Sequence, residues 1–337
     1  MSETGPPPRA IPRESLASRL IQAVAGLLDR PMAWIQRAVG GRGMAYVFLA
    51  PNILFFGLFV FLPIGINMAM SLTGGTNLFL SERPFVGTDH YRSLMQCGSY
   101  LDPASCREDH FWKGVSNTLK FTLFQMVAMV GTALVTALVL NRKIRGRGFF
   151  RAVYFFPVLL SPVVVALIWK WILQRDGLLN GAITLVGGEK ILFFVEPGWA
   201  MFWAVFVSVW AHMGFYTLIL LAGLQAIPAD LYEAAEMDGT KPMRVLTRIT
   251  LPLLWPNLVV VLVLVLIKAV QTFDEVFVLT GGGPGTATLM VVQYIYETAF
   301  ANQVQNFGLA AAASMLLGAV LFALTMLQLW IARRKAA

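Results

Sequence analysis

Charged residues are scarce in this chain. Only 13% of its 337 residues are Asp, Glu, Lys or Arg, while 57% are hydrophobic, and soluble domains usually have about a quarter of their residues charged. The composition therefore excludes an ordinary soluble domain and predicts a polytopic membrane protein. The net charge is +8, but the basic residues lie mainly in loops. They therefore indicate membrane orientation rather than nucleic-acid binding.

Histidine and cysteine are rarer still. His90, His110 and His212 are scattered without a second ligand at metal spacing, so we expect no metal site. The chain also lacks a phosphate-binding Gly-Lys-Ser/Thr motif, a nucleophile elbow and clustered carboxylates, so we expect it not to be an enzyme. Cys97 and Cys106 share one polar loop. A disulfide is favoured if this loop faces an oxidising compartment, and two free thiols are the alternative.

The N-terminal 43 residues differ from the rest of the chain. Residues 1–13 are rich in proline and polar side chains, which is typical of a disordered tail. Apolar residues then recur at helical spacing from Glu14 to Val39. This predicts an amphipathic helix on the membrane surface, broken near Pro31, with a flexible basic tail as the alternative. No basic region leads directly into an apolar run and a cleavage site, so we expect no cleaved signal peptide.

Six apolar runs are long enough to cross about 30 Å of hydrocarbon. They predict an all-α membrane domain over residues 44–337, with transmembrane helices near residues 44–72, 115–140, 152–174, 200–224, 251–278 and 307–332. Pro51 and Pro63 predict kinks in the first helix, and Pro157 and Pro162 predict kinks in the third.

Lys and Arg are distributed unevenly between the two sets of loops. The N-terminal segment, the loop Asn141–Arg151, the segment Ala229–Pro252 and the C-terminal tail carry seventeen, whereas the alternate loops carry six. Cytoplasmic loops are enriched in Lys and Arg, so this bias predicts that both termini lie in the cytoplasm. The loop with Cys97 and Cys106 is then extracytoplasmic.

The polar segment between the fourth and fifth runs has the residues of a helix, a tight turn and a second helix. Pro228 suits the start of the first helix, and Gly239 suits its left-handed end. Thr240 is then expected to cap the second helix, with Pro242 in its first turn and Pro252 at its end.

Residues 228–252 resemble the EAA loop of permease subunits in binding-protein-dependent ATP-binding cassette (ABC) importers. The residues that carry the resemblance are Glu233-Ala234-Ala235, Asp238-Gly239 and Ile249-Thr250-Leu251-Pro252. It implies that the first helix is a coupling helix that lies in a groove of an ATPase subunit. By the same resemblance, Glu233 makes a polar contact there and Gly239 allows the turn. Ala234, Ala235 and Asp238 would belong to the same contact surface.

A second motif follows the fifth run. It consists of Thr272-Phe273-Asp274-Glu275-Val276-Phe277, then Leu279-Thr280-Gly281-Gly282-Gly283-Pro284, and later Tyr294-Ile295-Tyr296. The glycine cluster alone predicts a turn with positive φ. In this arrangement the motif resembles carbohydrate-importer permeases of the maltose and glycerol-phosphate type, and the resemblance runs from about residue 44 to the end.

This resemblance implies a type I ABC importer permease fold in a bacterial inner membrane. It implies a second permease subunit in a heterodimer, two ATPase subunits that bind ATP and Mg, and an extracytoplasmic solute-binding protein. The solute would be a sugar or related compound, membrane lipid would surround the chain, and the chain itself would bind no cofactor. A self-sufficient secondary transporter or channel is the alternative. That class predicts an inverted repeat and interrupted helices with ionisable residues in the membrane.

The fifth run contains one lysine within its apolar sequence. Lys268 lies about 25 Å from Leu251 along a helix, where facing lipid would cost up to about 3 kcal/mol. On a continuous helix, Lys268, Gln271, Thr272 and Glu275 share one face. We therefore expect these residues to line the substrate path, as the resemblance also implies for this part of the helix. In the alternative, Lys268 snorkels outward or pairs with a carboxylate of the partner permease. An intrahelical pair with Glu275 is disfavoured because about 10 Å of helix separates them.

Overall fold

The computed structural model describes residues 16–142 and 145–336. This part of the chain is helical and contains no β-strand, only the isolated bridges Thr73–Phe85 and Cys97–Cys106. The chain divides into two compact units, of which the first ends at Ile66 and the second begins at Asn67. The predicted disordered tail, residues 1–13, lies outside the described residues.

The first unit is built from α1 (Leu16–Phe56), a π-helical turn (Gly57–Phe61) and the start of α2 (Leu62–Ser71). The backbone of α1 leaves the helical conformation at Gly40, where φ is 72° and ψ is 169°. The break predicted near Pro31 was therefore placed wrongly. Proline removes one backbone hydrogen bond, whereas glycine can take up a positive φ that redirects the chain. The location of this helix on the membrane surface stays a prediction.

Twelve further helices follow within the described residues. They are α3 (Asp89–Met95), α4 (Asp109–Asn141), α5 (Arg147–Phe155), α6 (Pro162–Leu173), α7 (Leu178–Leu185), α8 (Pro197–Gln225), α9 (Ala229–Met237), α10 (Pro242–Val245), α11 (Leu251–Val270), α12 (Asp274–Thr280), α13 (Val291–Tyr296) and α14 (Phe307–Ala336). Short 3₁₀ turns occupy Leu80–Glu82, Pro103–Ser105 and Phe156–Leu159, and π-helical turns occupy Leu246–Thr250 and Glu297–Ala301.

Five helical stretches in the part of the chain that the structure describes are long and apolar enough to cross a membrane. They are Gly43–Ser71, Asp109–Asn141, Pro197–Gln225, Pro242–Val270 and Phe307–Arg333. They match the predicted first, second, fourth, fifth and sixth runs, although the fifth ends eight residues earlier than expected. With the bent pair described next counted as one span, the total is six.

The third predicted span is a bent pair of helices rather than one straight helix. Its arms, Arg147–Leu159 and Pro162–Leu185, meet at 99°. Ser161 is extended, with φ −62° and ψ 137°, because the ring of Pro162 disfavours the helical conformation in the preceding residue. The predicted kink at Pro157 and Pro162 is confirmed.

The core of the second unit lies where α4, α8 and α11 pack together. Buried residues recur every three or four positions on each helix, so each presents one stripe to the others. The stripes are Phe121, Gln125, Met129, Ala133 and Ala137 on α4; Val207, Ala211, Leu220 and Leu224 on α8; and Leu254, Leu258, Val261 and Val265 on α11. The alanines on α4 allow close approach of the neighbouring helices.

Candidate coupling segment and membrane-embedded polar site

The turn between α9 and α10 has the geometry predicted for it. Gly239 has φ 61°, and no atom lies within 4 Å of the position a Cβ would occupy. The Thr240 amide donates to the Ala235 carbonyl at 2.9 Å, and the Gly239 amide donates to the Glu236 carbonyl at 3.0 Å. These two bonds form a Schellman motif, which satisfies carbonyls left open at the end of α9. The backbone of this turn is therefore fixed by its own hydrogen bonds.

The helix after the turn differs from the prediction at both ends. It begins at Pro242 with Lys241, not Thr240, as the extended capping residue, because Thr240 is used by the Schellman motif. It also passes through Pro252 into α11 without a break. The π-helical turn Leu246–Thr250 comes just before this proline, and the Leu251 amide reaches back to the Leu246 carbonyl. Such a turn shifts the hydrogen-bond register and accommodates a residue without an N–H.

The two faces of α9 have different surroundings. Glu233, Ala234 and Asp238 are exposed, as expected for a surface that contacts another subunit. Ala235 is only 6% exposed, so it adds little to that exposed face, and its place in the contact surface stays a prediction. Its side chain faces the interior of this chain, on the side where the Tyr232 hydroxyl lies 3.2 Å from Thr250 Oγ1.

Two methionines extend the exposed face of this segment. Met237 is 89% exposed and Met243 is 70% exposed, one on each side of the Gly239 turn. Sequence reasoning missed them because an isolated methionine carries no pattern. Flexible methionines adapt to irregular partner surfaces, so these two would add apolar area to a surface that contacts another subunit.

The predicted fifth span breaks where the polar residues begin. α11 ends at Val270 and α12 starts at Asp274, so Lys268, Gln271, Thr272 and Glu275 do not share one helical face as expected. The Thr272 side chain is buried and donates to the Lys268 carbonyl at 3.0 Å, whereas Gln271 is exposed.

The break brings Lys268 and Glu275 together. Lys268 Nζ lies 3.4 Å from Glu275 Oε1, and the two side chains are 30% and 3% exposed. The expectation that helix length keeps them apart is therefore wrong, because the chain leaves the helix between them. In this structure, the cation of the fifth span pairs with a carboxylate of its own chain.

Side chains from two other helices complete the polar site. Ser208 on α8 donates to Glu275 Oε1 at 3.2 Å, and Gln125 on α4 donates to Ser208 Oγ at 2.9 Å. Among the described residues, Glu275 Oε2 and Gln125 Oε1 are buried without a hydrogen-bond donor. Sequence reasoning missed Ser208 and Gln125, and the available signal was a polar residue inside each apolar run.

A second lysine fixes the far end of α12. Lys170 Nζ on α6 donates to the Val278 carbonyl at 3.0 Å. That carbonyl belongs to the last turn of α12, where helix carbonyls lack intrahelical partners and a cation is favourable. α12 is therefore held by a cation near each end.

The loop after α12 is held from two sides. Gly281, Gly282 and Gly285 have positive φ, which confirms the predicted turn. Gln293 donates to the Gly281 carbonyl at 3.0 Å, and Asn117 on α4 donates to the Thr286 carbonyl at 2.7 Å. These contacts position the loop against α4 and α13.

The loop between the first two spans contains a disulfide and a buried arginine. Cys97 and Cys106 are joined by a disulfide. Arg83 donates to Thr73 Oγ1 at 2.9 Å and to the Asn77 carbonyl at 2.6 Å, and burial lowers the pKa of its guanidinium. The disulfide and the Arg83 hydrogen bonds join residues of the same loop and thereby fix its conformation.

The residue before α4, Glu108, is hydrogen-bonded to α13. The Tyr294 hydroxyl donates to Glu108 Oε2 at 3.1 Å. Burial and the neighbouring Glu108 carboxylate raise the pKa of Tyr294. The phenol therefore stays neutral and keeps its donor role.

The chain resembles known proteins over most of its length. The family model for the inner membrane component of binding-protein-dependent transport systems matches residues 129–337. The trehalose/maltose transport system permease protein MalF of Thermococcus litoralis is 33% identical over 86% of this chain and 94% of that protein. The lactose transport system permease protein LacF of Rhizobium radiobacter is 31% identical, again over 86% and 94%.

A solved structure supports the fold. A chain from the crystal structure of a bacterial ABC transporter that imports the acidic polysaccharide alginate aligns with a TM-score of 0.73 and 24% sequence identity. The alignment covers 89% of this chain and 98% of that chain. The family model and the relatives show that this protein belongs to the family of inner membrane permease components of binding-protein-dependent ABC transport systems.

Proposed function

We propose that this chain is one of two permease subunits of an ATP-driven importer for a sugar or a related solute. A related permease forms the translocation path with it, and an extracytoplasmic binding protein delivers the solute. Two cytoplasmic ATPase subunits bind ATP and Mg and drive alternating access through the coupling segment 228–252. Both termini lie in the cytoplasm, and the loop with the disulfide faces the binding protein.

The observation that carries this proposal is one continuous helix. Pro242–Val270 runs for 29 residues, or about 43 Å, from the Gly239 turn to the Lys268–Glu275 pair. A stiff element of this length transmits a rigid-body displacement from its exposed end to its buried end. Movement of the ATPases against Glu233, Ala234 and Asp238 would thus reach the polar site.

The substrate path is proposed to include Lys268, Gln271, Thr272 and Glu275. The unpaired acceptors Glu275 Oε2 and Gln125 Oε1 support this role, because a solute rich in hydroxyl groups supplies the donors that they lack. Relatives of this chain carry sugars in their names, including trehalose, maltose and lactose. In this proposal the site is closed around its own residues until the coupling helix moves.

One observation favours the alternative of a self-sufficient transporter. The third span is an interrupted helix, and an ionisable pair, Lys268–Glu275, lies across the break that follows the fifth span, as in many secondary transporters. Family membership and the shape of the coupling segment favour the importer, since a secondary transporter has no use for an exposed coupling helix.

Reconstitution separates the two functions. The chain would be expressed together with a candidate partner permease, ATPase and binding protein and purified through a tag on this chain. Co-purification of the partner permease and the ATPase, with ATP-dependent uptake in liposomes, is the expected result. Solute flux by liposomes that contain this chain alone would overturn the importer proposal.

A further inference from the structure

An apolar cavity lies where α4, α11, α13 and α14 meet. Its volume is about 300 Å³, and its walls include Val115 on α4, Leu266 on α11 and Leu317 on α14. These three helices belong to candidate membrane spans. Packed protein interiors contain few voids larger than a water molecule, so a cavity of this size has room for a ligand rather than for a packing defect alone.

The lining of this cavity is apolar. None of the described side chains that line it is charged. Its few polar groups are turned to other partners or buried: the Trp112 indole N–H donates to the Leu94 carbonyl at 2.7 Å, and Thr118 Oγ1 accepts a hydrogen bond from the Val291 amide at 3.1 Å. The Thr122 oxygen is buried and presents no surface to the cavity. Cavities of this chemistry stay dry and bind apolar molecules.

The cavity is elongated along the helices. On α4 its lining extends from Phe111 to Thr122, which is about 16 Å of helix. Over this length, a volume of about 300 Å³ corresponds to a channel on the order of 5 Å wide, half the diameter of an α-helix. The channel is therefore too narrow for a helix of another subunit. It has room for roughly ten methylene groups, because each is about as large as a water molecule. An extended acyl chain fits both its length and its width.

The cavity opens sideways, on the outer surface of the spans. Two lining residues at this opening, Leu119 on α4 and Val320 on α14, are 62% and 55% exposed, whereas Phe111 and Val291 on the inner side are 5% and 2% exposed. Exposed apolar surface on membrane spans is as apolar as the lipid tails around it. A lipid tail can therefore enter the cavity from the bilayer without passing through water.

We propose that this cavity binds one acyl chain of a membrane phospholipid, from the leaflet on the side away from the coupling segment. Leu266 and Val270 line the cavity on either side of Lys268 in the sequence. The bound chain therefore packs against the end of α11, just before the break across which Lys268 pairs with Glu275. In this way the lipid supports the helix end that holds the ion pair. The site does not depend on the identity of the solute or on the ATPase contact.

Photo-crosslinking in nanodiscs tests this site. The full-length chain is reconstituted with phosphatidylcholine that carries a diazirine near the middle of one acyl chain, and labelled peptides are located by mass spectrometry. Val320→Trp places a large side chain in the opening and should reduce labelling of residues 111–122 at least fivefold. Val135→Trp is the matched control, because Val135 is a similarly exposed valine, 62%, on α4 but does not line the cavity. It should change this labelling less than twofold.

Further arms keep the test decisive. Leu119→Trp blocks the opening from the other side and should reduce labelling of residues 316–324 at least fivefold, even if Val320→Trp is unstable. A diazirine in the headgroup should label these peptides at least fivefold less than the acyl probe. Labelling should persist within twofold when the chain is assembled with a candidate partner permease and ATPase.

Three results would each overturn the proposal. They are labelling that is spread evenly over the exposed residues of all spans, labelling that neither tryptophan variant reduces, and labelling that disappears on assembly. The last result would show that a side chain of the partner permease occupies the cavity instead of a lipid.

Discussion

Lys268 and Glu275 form an ion pair across a break between two helices. Their charged atoms are 3.4 Å apart, although α11 ends at Val270 and α12 begins at Asp274. The Glu275 carboxylate also accepts a hydrogen bond from Ser208. The pair therefore connects the end of α11 to α12. α11 ends the long helix that begins beside the Gly239 turn, and α12 packs against α6 and α8.

The first prediction separates a structural role of this pair from a role in transport. Lys268→Met leaves the Glu275 charge buried and unpaired, which should cost about 3 kcal/mol of stability. Lys268→Met/Glu275→Gln removes both charges and should restore thermal stability and ATPase assembly. Because we place both residues in the substrate path, we expect uptake by the double variant to stay at least tenfold below wild type.

The measurements are the melting temperature in detergent, co-purification of the ATPase, and solute uptake. Ser208→Ala, which removes the hydrogen bonds to Glu275 and from Gln125 but neither charge, is the control for loss of hydrogen bonding at the site. Recovery of full uptake by the double variant would mean that the pair only joins the two helices.

The second prediction concerns Gly239. Its positive φ, rather than lack of space, restricts the residue there, since a Cβ at this position would have no atom within 4 Å. Gly239→Val should be strained by about 1–2 kcal/mol and reduce uptake strongly, whereas Gly239→Asn should keep most of it, because asparagine tolerates this conformation. Membrane insertion, measured by protease protection, should be unchanged in both.

Gly198→Ala, at an exposed glycine on α8 without close neighbours or a positive φ, provides the control for glycine replacement itself. Equal uptake by Gly239→Val and Gly239→Asn would show that the turn conformation is not important for coupling.

The third prediction concerns Glu233, which is exposed on α9. In the proposed assembly its carboxylate meets a basic residue of the ATPase and loses its hydration there. Glu233→Lys should therefore weaken ATPase binding at least tenfold, since reversing a charge in such a contact costs more than about 1.4 kcal/mol. Affinity between the purified components, measured at two salt concentrations, tests this expectation.

Glu189→Lys is the control, because Glu189 is also exposed but lies outside the coupling segment. Unchanged affinity of the Glu233 variant would remove this residue from the contact, and an equal loss in the control would indicate a general charge effect.

The sequence predicted features that have local causes. The length of the apolar runs indicated the spans, Pro157 and Pro162 indicated the bend, and Gly239 indicated the turn. The break after Val270 was missed because residues 251–278 contain no glycine and no proline beyond Pro256. The break is stabilised by hydrogen bonds from residues distant in the sequence: Ser208 donates to Glu275, and Lys170 donates to the Val278 carbonyl. Such long-range pairings leave no local sequence pattern.

The burial of Ala235 was missed for a related reason. Resemblance indicates which residues characterise a motif, but not which side of a helix each residue faces. The Thr240 cap was also misplaced, by one residue, because Thr240 completes the hydrogen bonds of the preceding helix.

The last prediction concerns the bond between Cys97 and Cys106. Nine positions separate the two cysteines, and closing a loop of this size stabilises the folded loop by about 2.7 kcal/mol in the chain-entropy model. Hydrogen bonds from the Ser99 amide to Ser105 Oγ and from Ser105 Oγ to the Asp102 carbonyl order the same loop. Cys97→Ser/Cys106→Ser should therefore fold and insert but leave the loop more open to proteolysis. Alkylation under denaturing conditions tests the bond directly: without reductant no thiol should react, and after reduction two should. Two reactive thiols in protein isolated without reductant would show that hydrogen bonds alone hold this loop.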